Sequence, residues 1–193
     1  MKYQDITEYN ATSFTEANRT IDDIDTIVIH HWGDDNQRFE KVCEFFASGP
    51  GTSAHFVVEA GRCAQLVEIK DVAWHAGNWA ANQRSIGIEC RPEMSPEDFE
   101  TVAQVIADLE TYYGRSFYIN GHLDYFSTEC PGRWYNRLED LIRRVNDIKA
   151  GKVERGVENV PAPLEKDKVS ELRDSWAKLK GAVAEVEEKI DNA

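Results

Sequence analysis

The segment Ile24-Asp-Thr-Ile-Val-Ile-His-His-Trp32 is the starting point for interpreting this sequence. Its run of β-branched and apolar residues is typical of a strand that is buried on both faces. Two histidines follow the apolar run directly, at the end of the predicted strand. Since neighbouring side chains on a strand point to opposite faces, only one of His30 and His31 can face a given site.

Further elements follow this strand. Phe39 to Ala47 carries apolar residues at helical spacing, and Ser48-Gly-Pro-Gly51 ends that helix. Residues 53–60 and 63–69 flank the turn signal Ala60-Gly61-Arg62 and predict a β-hairpin. The first twenty residues are polar and lack periodicity, so we expect an irregular arm there.

The second half of the domain continues with strand, helix, strand and helix. Residues 85–90 predict a strand, and Ser95-Pro96 begins a helix that Gly114 ends. A short strand is predicted over 117–119, and a last helix over about 134–148. Its predicted buried stripe consists of Leu138, Leu141, Ile142, Val145 and Ile148.

The character of the sequence changes near residue 150. We predict a domain over 1–150, a linker over 151–166 with Val160-Pro-Ala-Pro163, and an amphipathic heptad helix over 167–193. Seven apolar residues form its a/d seam: Val169, Leu172, Trp176, Leu179, Val183, Val186 and Ile190. Two interpretations stay open: a helix that docks on its own domain, and a coiled coil that makes a homo-oligomer.

Composition excludes several classes of protein. With 22 basic and 35 acidic residues, the net charge of −13 argues against nucleic-acid binding, because cationic contacts supply most of that affinity. No apolar run is long enough for membrane insertion, and the N-terminus lacks the apolar region of a secretory signal. The four scattered cysteines do not indicate a disulfide scaffold.

His122 and Cys130 lie in one Gly- and Pro-containing loop, Gly121 to Gly132, and could converge on one point. Imidazole nitrogen and thiolate sulfur are ligands that Zn²⁺ prefers. With His30 they would make three protein ligands, which is the number of an open, catalytic zinc site. The alternatives are an ordinary loop with a buried cysteine, and a structural hydrogen bond at His30.

Glu89 lies in the apolar strand Ser85 to Cys90, where a carboxylate must be paired, terminal or functional. Next to Zn²⁺ it could accept a proton from water; a salt bridge at the strand end is the alternative. His55 and His75, each taken alone, are more typical of core or hydrogen-bonding histidines than of ligands.

Together these motifs resemble those of the zinc-dependent N-acetylmuramoyl-L-alanine amidases that share a fold with peptidoglycan recognition proteins, especially the phage endolysin-like members. The resemblance covers residues 24–148. Its blocks, in family order, are Ile27 to Trp32, Thr52 to Val58, Gly61-Arg62, Ala73 to Gly77, Ser85 to Glu89, and Gly121-His122 through Cys130-Pro-Gly132.

The resemblance implies an α/β fold with a central mixed β-sheet flanked by helices. It places one catalytic Zn²⁺ on His30, His122 and Cys130, and the catalytic glutamate at Glu89. Some phage members carry a catalytic tyrosine where this chain has Ala54, and a lysine where it has Thr128, which leaves Thr128 as a candidate oxyanion or water contact. The candidates for substrate binding are Trp32, His55, Trp74, His75, Asn78 and Trp79.

The resemblance implies hydrolysis of the amide bond between N-acetylmuramic acid and L-alanine in peptidoglycan. We expect an endolysin that is made in the cytoplasm without a signal peptide and reaches the cell wall after release, through a holin if phage-encoded. Two alternatives stay open: a cytoplasmic amidase that recycles muropeptides, and a module that binds peptidoglycan without cutting it. The appended heptad helix favours the endolysin, because small soluble fragments require no second module.

Overall fold

The computed structural model describes residues 3–152, which form a mixed β-sheet with helices on both faces. The strands are β1 (Gln4–Ile6), β2 (Phe14–Thr15), β3 (Thr26–His31), β4 (Phe56–Glu59), β5 (Arg62–Gln65), β6 (Val72–Ala73), β7 (Ser85–Cys90) and β8 (Tyr118–Gly121). The helices are α1 (Phe39–Ala47), α2 (Trp79–Arg84), α3 (Pro96–Tyr113) and α4 (Leu138–Lys149). Short 3₁₀ turns span Ile21–Asp23, His122–Asp124 and Gly132–Arg137.

Strand β3 lies inside the six-stranded sheet, whose order is β1-β5-β4-β7-β3-β8. It pairs in parallel with β7 and with β8, whereas β4 and β5 form the predicted antiparallel hairpin. The predicted mixed sheet flanked by helices is therefore confirmed. Because β3, β7 and β8 run in parallel, their carboxyl ends meet at one edge of the sheet, where ligand sites of such sheets are commonly found.

Alternation along β3 places Ile27 and Ile29 on one face of the sheet and His30 on the other. Ile27 and Ile29 pack in the cluster that includes α3 and α4 residues such as Ile106 and Leu141. Helix α1 contributes to a second cluster, with Val57 of β4. His30 alternates with Ile29 and therefore projects on the face opposite α3 and α4.

Helix α3 begins and ends where the sequence predicts. The Ser95 hydroxyl accepts a hydrogen bond from Asp98 N, and the Asp98 carboxylate accepts one from Ser95 N, which completes a capping box. Gly114 ends the helix at φ +64°, in the left-handed region that favours glycine.

Two predictions about elements are wrong. The N-terminal arm contains two strands: β1 pairs in parallel with β5, and β2 pairs with β6. Strands of three and two residues are too short to show a period, and their partners are remote in sequence. In the last helix, Ile142 is 39% exposed instead of buried, whereas Leu141 and Val145 are buried and Leu138 and Ile148 pack against the same core while partly buried.

The predicted heptad helix over 167–193 lies outside the described residues, as does the linker beyond residue 152. Helix α4, the last described element, ends at Lys149, and the predicted domain boundary near residue 150 remains a prediction. Among residues 3–152, no helix combines the length and the apolar character needed to cross a bilayer.

Candidate active site

Three predicted metal ligands converge at the carboxyl edge of the sheet. His30 is the penultimate residue of β3, and His122 directly follows β8. Because these strands pair in parallel, with Ile29 opposite Gly121, the two imidazole rings lie 4.5 Å apart between centroids. The loop after β8 returns Cys130 to the same point, with its Sγ 3.7 Å from His30 Nδ1.

The three side chains fit a metal ion in number, distance and chemistry. One ligand atom from each lies within 4.8 Å of the others. A tetrahedral zinc ion would set its nitrogen and sulfur ligands about 3.6 Å apart, which agrees with the measured 3.7 Å. His122 Nε2 is buried and has no hydrogen-bond partner among the described residues, as expected of an atom reserved for a ligand.

Backbone contacts hold the cysteine at the site. His31 N donates to Cys130 Sγ at 3.4 Å, and Leu123 N donates to the Cys130 carbonyl at 3.0 Å. The Thr128 hydroxyl accepts a hydrogen bond from Cys130 N at 3.2 Å, which places Thr128 beside the ligand. Burial raises the pKa of the Cys130 thiol to about 12, so a bound cation would have to displace its proton.

Glu89 faces the same side of the sheet as His30. Strand β7 pairs with β3 in a register that sets Glu89 opposite His30, and paired residues of parallel strands project together. Glu89 Oε2 is buried and finds no partner within residues 3–152, so the predicted alternative of a salt bridge does not hold there. Desolvation raises the pKa of this carboxyl to about 8.

Three of the predicted substrate contacts are buried, and for these the structure corrects the expectation. Trp32 is 8% exposed and packs in the α1 core with Phe39. His55 is fully buried, and its Nδ1 accepts a hydrogen bond from Gly87 N at 3.0 Å. His75 is 5% exposed and contacts His30 instead of solvent. His55 and His75 therefore have structural contacts that strand periodicity alone does not show, whereas Trp32 Nε1 is buried without a hydrogen-bond partner among the described residues.

The other candidates are exposed: Trp74 and Asn78 lie in the loop before α2, and Trp79 is the first residue of that helix. Trp74 is 38% exposed and donates its indole N–H to Thr15 Oγ1. Trp79 is 51% exposed, and Asn78 caps α2 by accepting from Ala81 N. These side chains remain accessible to a ligand.

Sequence reasoning did not identify two neighbours of the candidate metal ligands. Phe126, 52% exposed, stacks on His122 with centroids 6.0 Å apart. Ser85 contacts the ring of His75, which in turn contacts His30. The contact of Phe126 with His122 could have been predicted only from their spacing of four residues within one loop. No local signal in the sequence indicates the contact of Ser85 with His75.

The sequence profile of the N-acetylmuramoyl-L-alanine amidase family (Amidase_2) matches residues 20–133, more than half of the chain and all three predicted ligands. The chain belongs to this family. No curated protein matches the amidase chain significantly in sequence.

Solved structures share the amidase fold at low sequence identity. The PlyG catalytic domain matches with a TM-score of 0.64 at 15% identity, over 81% of this chain and 99% of that one. A Staphylococcus aureus hydrolase, AmiA, solved in complex with its ligand, matches with a TM-score of 0.62 at 18% identity, over 79% and 88%. The amidase LysC from Clostridium intestinale URNW matches with a TM-score of 0.57 at 22% identity, over 76% and 98%.

Proposed function

We propose that this chain is a zinc-dependent hydrolase that cuts the amide bond between N-acetylmuramic acid and L-alanine in peptidoglycan. The observation that carries the proposal is the convergence of His30, His122 and Cys130 at one edge of the sheet, with the Glu89 carboxyl, whose Oε2 is buried, on the same face. Family membership supports the choice of this amide bond.

His30, His122 and Cys130 would hold the zinc ion. A set of two imidazoles and one thiolate leaves a position open for water or substrate. When bound, the ion supplies a Lewis acid that polarises the scissile carbonyl and acidifies water. These three side chains therefore fix where the amide must lie.

Glu89 is the proton carrier in this proposal. Its partnerless Oε2 is free to accept a proton from the attacking water and to pass it to the nitrogen of L-alanine as the amide breaks. A carboxyl with a raised pKa suits both steps, because it takes up a proton more readily than an exposed glutamate. A nearby cation would lower this pKa and favour the base form.

Thr128 and the exposed loop would contact the substrate. The Thr128 oxygen accepts from Cys130 N, which leaves its hydroxyl hydrogen free to donate to the developing oxyanion. Trp74 and Trp79 offer exposed aromatic faces that suit sugar rings, and the Asn78 loop lies between them.

Two variants test the separate roles of Cys130 in zinc binding and of Glu89 in proton transfer. Cys130→Ala should abolish zinc retention and hydrolysis, because one of three ligands is lost. Glu89→Ala should keep zinc but slow turnover about 10²–10⁴-fold, the usual contribution of a general base. Metal content and release of free L-alanine amino groups from peptidoglycan, with no new reducing sugars, are the measurements. A fully active Glu89→Ala enzyme would refute this mechanism.

We further propose that the enzyme acts as a cell-wall-lysing endolysin, made in the cytoplasm and released to the wall. One structural relative, LysCS from Clostridium intestinale URNW, is an endolysin N-acetylmuramoyl-L-alanine amidase, which supports this role by analogy of fold. Comparing the rates on intact sacculi and on soluble muropeptides tests it. Strong preference for the soluble fragments would instead support the recycling role.

A further inference from the structure

We propose that His75 and Ser85 are positioning residues that determine which nitrogen of His30 faces the metal. The inference deepens the proposed function, on which its metal-binding consequence rests. It concerns a chain of contacts behind His30 that runs from Ala81 through Ser85 and His75. Each contact constrains the direction of the next hydrogen bond.

The direction of these hydrogen bonds is determined at Ala81, the end of the series of contacts that is farthest from His30. Ser85 Oγ lies 2.6 Å from the Ala81 carbonyl oxygen. A carbonyl oxygen only accepts hydrogen bonds, so the single hydroxyl hydrogen of Ser85 is donated there. The Ser85 oxygen, 3.1 Å from His75 Nε2, must therefore accept, and His75 must carry its hydrogen on Nε2.

The position of the hydrogen on His75 in turn determines which nitrogen of His30 carries a hydrogen. Both rings are buried, with His30 1% and His75 5% exposed, and an unpaired charge is costly to bury, so each ring is neutral and carries one N–H. His75 Nδ1 is thus a bare acceptor, 2.9 Å from His30 Nε2, which must donate to it. His30 Nδ1 therefore keeps its lone pair, on the side of the ring that lies 3.7 Å from Cys130 Sγ, another of the candidate ligands.

Packing keeps the His75 ring in place. The ring lies against Gly87, where a Cβ atom would approach His75 Cγ to 2.5 Å, so a side chain at 87 would displace it. The Asn82 side-chain oxygen accepts from the backbone N–H groups of His75 and Ala76, at 3.2 and 2.8 Å. The acceptor for His30 is therefore fixed before any metal binds.

The matched variants His75→Asn and His75→Leu test the acceptor. Asn and Leu have similar shapes and both remove the ring, but only the Asn oxygen can accept from His30 near the position of Nδ1. We expect His75→Leu to bind zinc about 10–100-fold more weakly than His75→Asn, the usual effect of removing such a partner. The dissociation constant is measured on the full chain by competition with a chromophoric chelator.

Ser85→Ala and Ser85→Thr provide the second pair. Ser85→Ala frees His75 to carry its hydrogen on either nitrogen and should weaken zinc binding, whereas Ser85→Thr keeps the hydroxyl and should restore it. ¹⁵N NMR of the imidazoles in the metal-free chain reads the protonated nitrogen directly. We expect both His30 and His75 to be protonated at Nε2 in the natural chain, and a mixture of forms in Ser85→Ala.

The outcomes separate the two proposals. If the natural chain binds zinc and the Leu and Asn variants bind it equally well, or if His30 carries its hydrogen on Nδ1, the positioning role is overturned. If the natural chain shows the expected imidazole forms but binds no zinc, the proposed function fails while the hydrogen-bond direction stands.

Discussion

At the scale of single residues, Glu89 illustrates a conflict between stability and chemistry. Its neighbours in the strand are fully buried apolar residues, and Oε2 has no partner among the described residues. Ionising a carboxyl in such a place is costly, which is why its pKa rises to about 8. A purely structural role would not require such a residue here.

This cost predicts a pH dependence of stability. In the metal-free chain, Glu89 binds its proton more tightly in the folded state, because its pKa there is about 8 instead of the ordinary 4.5. The free energy of unfolding should therefore fall as the pH rises from 4.5 to about 8. The free energy of unfolding of Glu89→Gln should equal that of the natural chain near pH 4.5. Near pH 8 it should be larger than that of the natural chain, by on the order of 1 kcal/mol or more. Urea unfolding with a chelator present measures this.

A matched control is Glu16→Gln, which changes an exposed carboxylate. We expect its stability difference from the natural chain to stay within about 0.5 kcal/mol at both pH values. A Glu89→Gln variant that loses stability as pH rises, relative to the natural chain, would contradict the burial argument.

At the scale of elements, Asp98 joins α3 to the β4–β5 hairpin. Its carboxylate accepts from Ser95 N at the start of the helix and from Ala60 N at the hairpin turn, both at 2.8 Å. We expect Ser95→Ala to cost about 1 kcal/mol of unfolding free energy, as for a lost cap. Asp98→Ala should cost about 2–4 kcal/mol, because it leaves two N–H groups without partners.

Chemical denaturation of the two variants checks this order. Because the Ser95 and Asp98 side chains hydrogen-bond to backbone N–H groups and not to His30, His122 or Cys130, zinc affinity should stay unchanged in each folded variant. Equal losses of stability in Ser95→Ala and Asp98→Ala would show that the contact between helix and hairpin contributes nothing.

At the scale of the whole molecule, the net charge predicts how salt affects the rate on anionic cell walls. Residues 150–193 carry 8 basic and 10 acidic side chains, so most of the −13 belongs to residues 1–149. Bacterial walls are often polyanionic, so long-range attraction would not bring the chain to them. Raising salt to about 0.15 M should therefore leave the rate on anionic sacculi unchanged or increased, because it screens repulsion. Strong inhibition by such salt would refute this expectation.

The heptad pattern predicts self-association through residues 167–193. We expect the full chain to sediment as an oligomer and Leu179→Glu, at a seam position, to make it monomeric, because a buried charge opposes coiled-coil packing. Lys178→Glu, outside the seam, is the control and should remain oligomeric. A monomeric natural chain would contradict the coiled-coil interpretation and favour docking of the helix on its own domain.

Local sequence determined the elements whose signals are local. The apolar run of β3, the helical spacing of α1 and the Ser95 and Gly114 caps each fix structure through neighbours a few residues away. The family motifs also identified the three residues that the fold brings together as candidate ligands. The sequence does not predict the strands β1 and β2 of the N-terminal arm. Segments of two or three residues form strands only by pairing with strands that are remote in sequence.

Only the tertiary structure decided which side chains face the site. Trp32, His55 and His75 were predicted at the substrate, but they are buried among contacts from remote parts of the chain. The parallel register of β3 with β7 set Glu89 opposite His30, and the fold placed Ser85 and His75 in contact behind the His30 ring. The physical reason is that residue type sets what a side chain can do, whereas burial and hydrogen-bond direction depend on neighbours that sequence spacing does not specify.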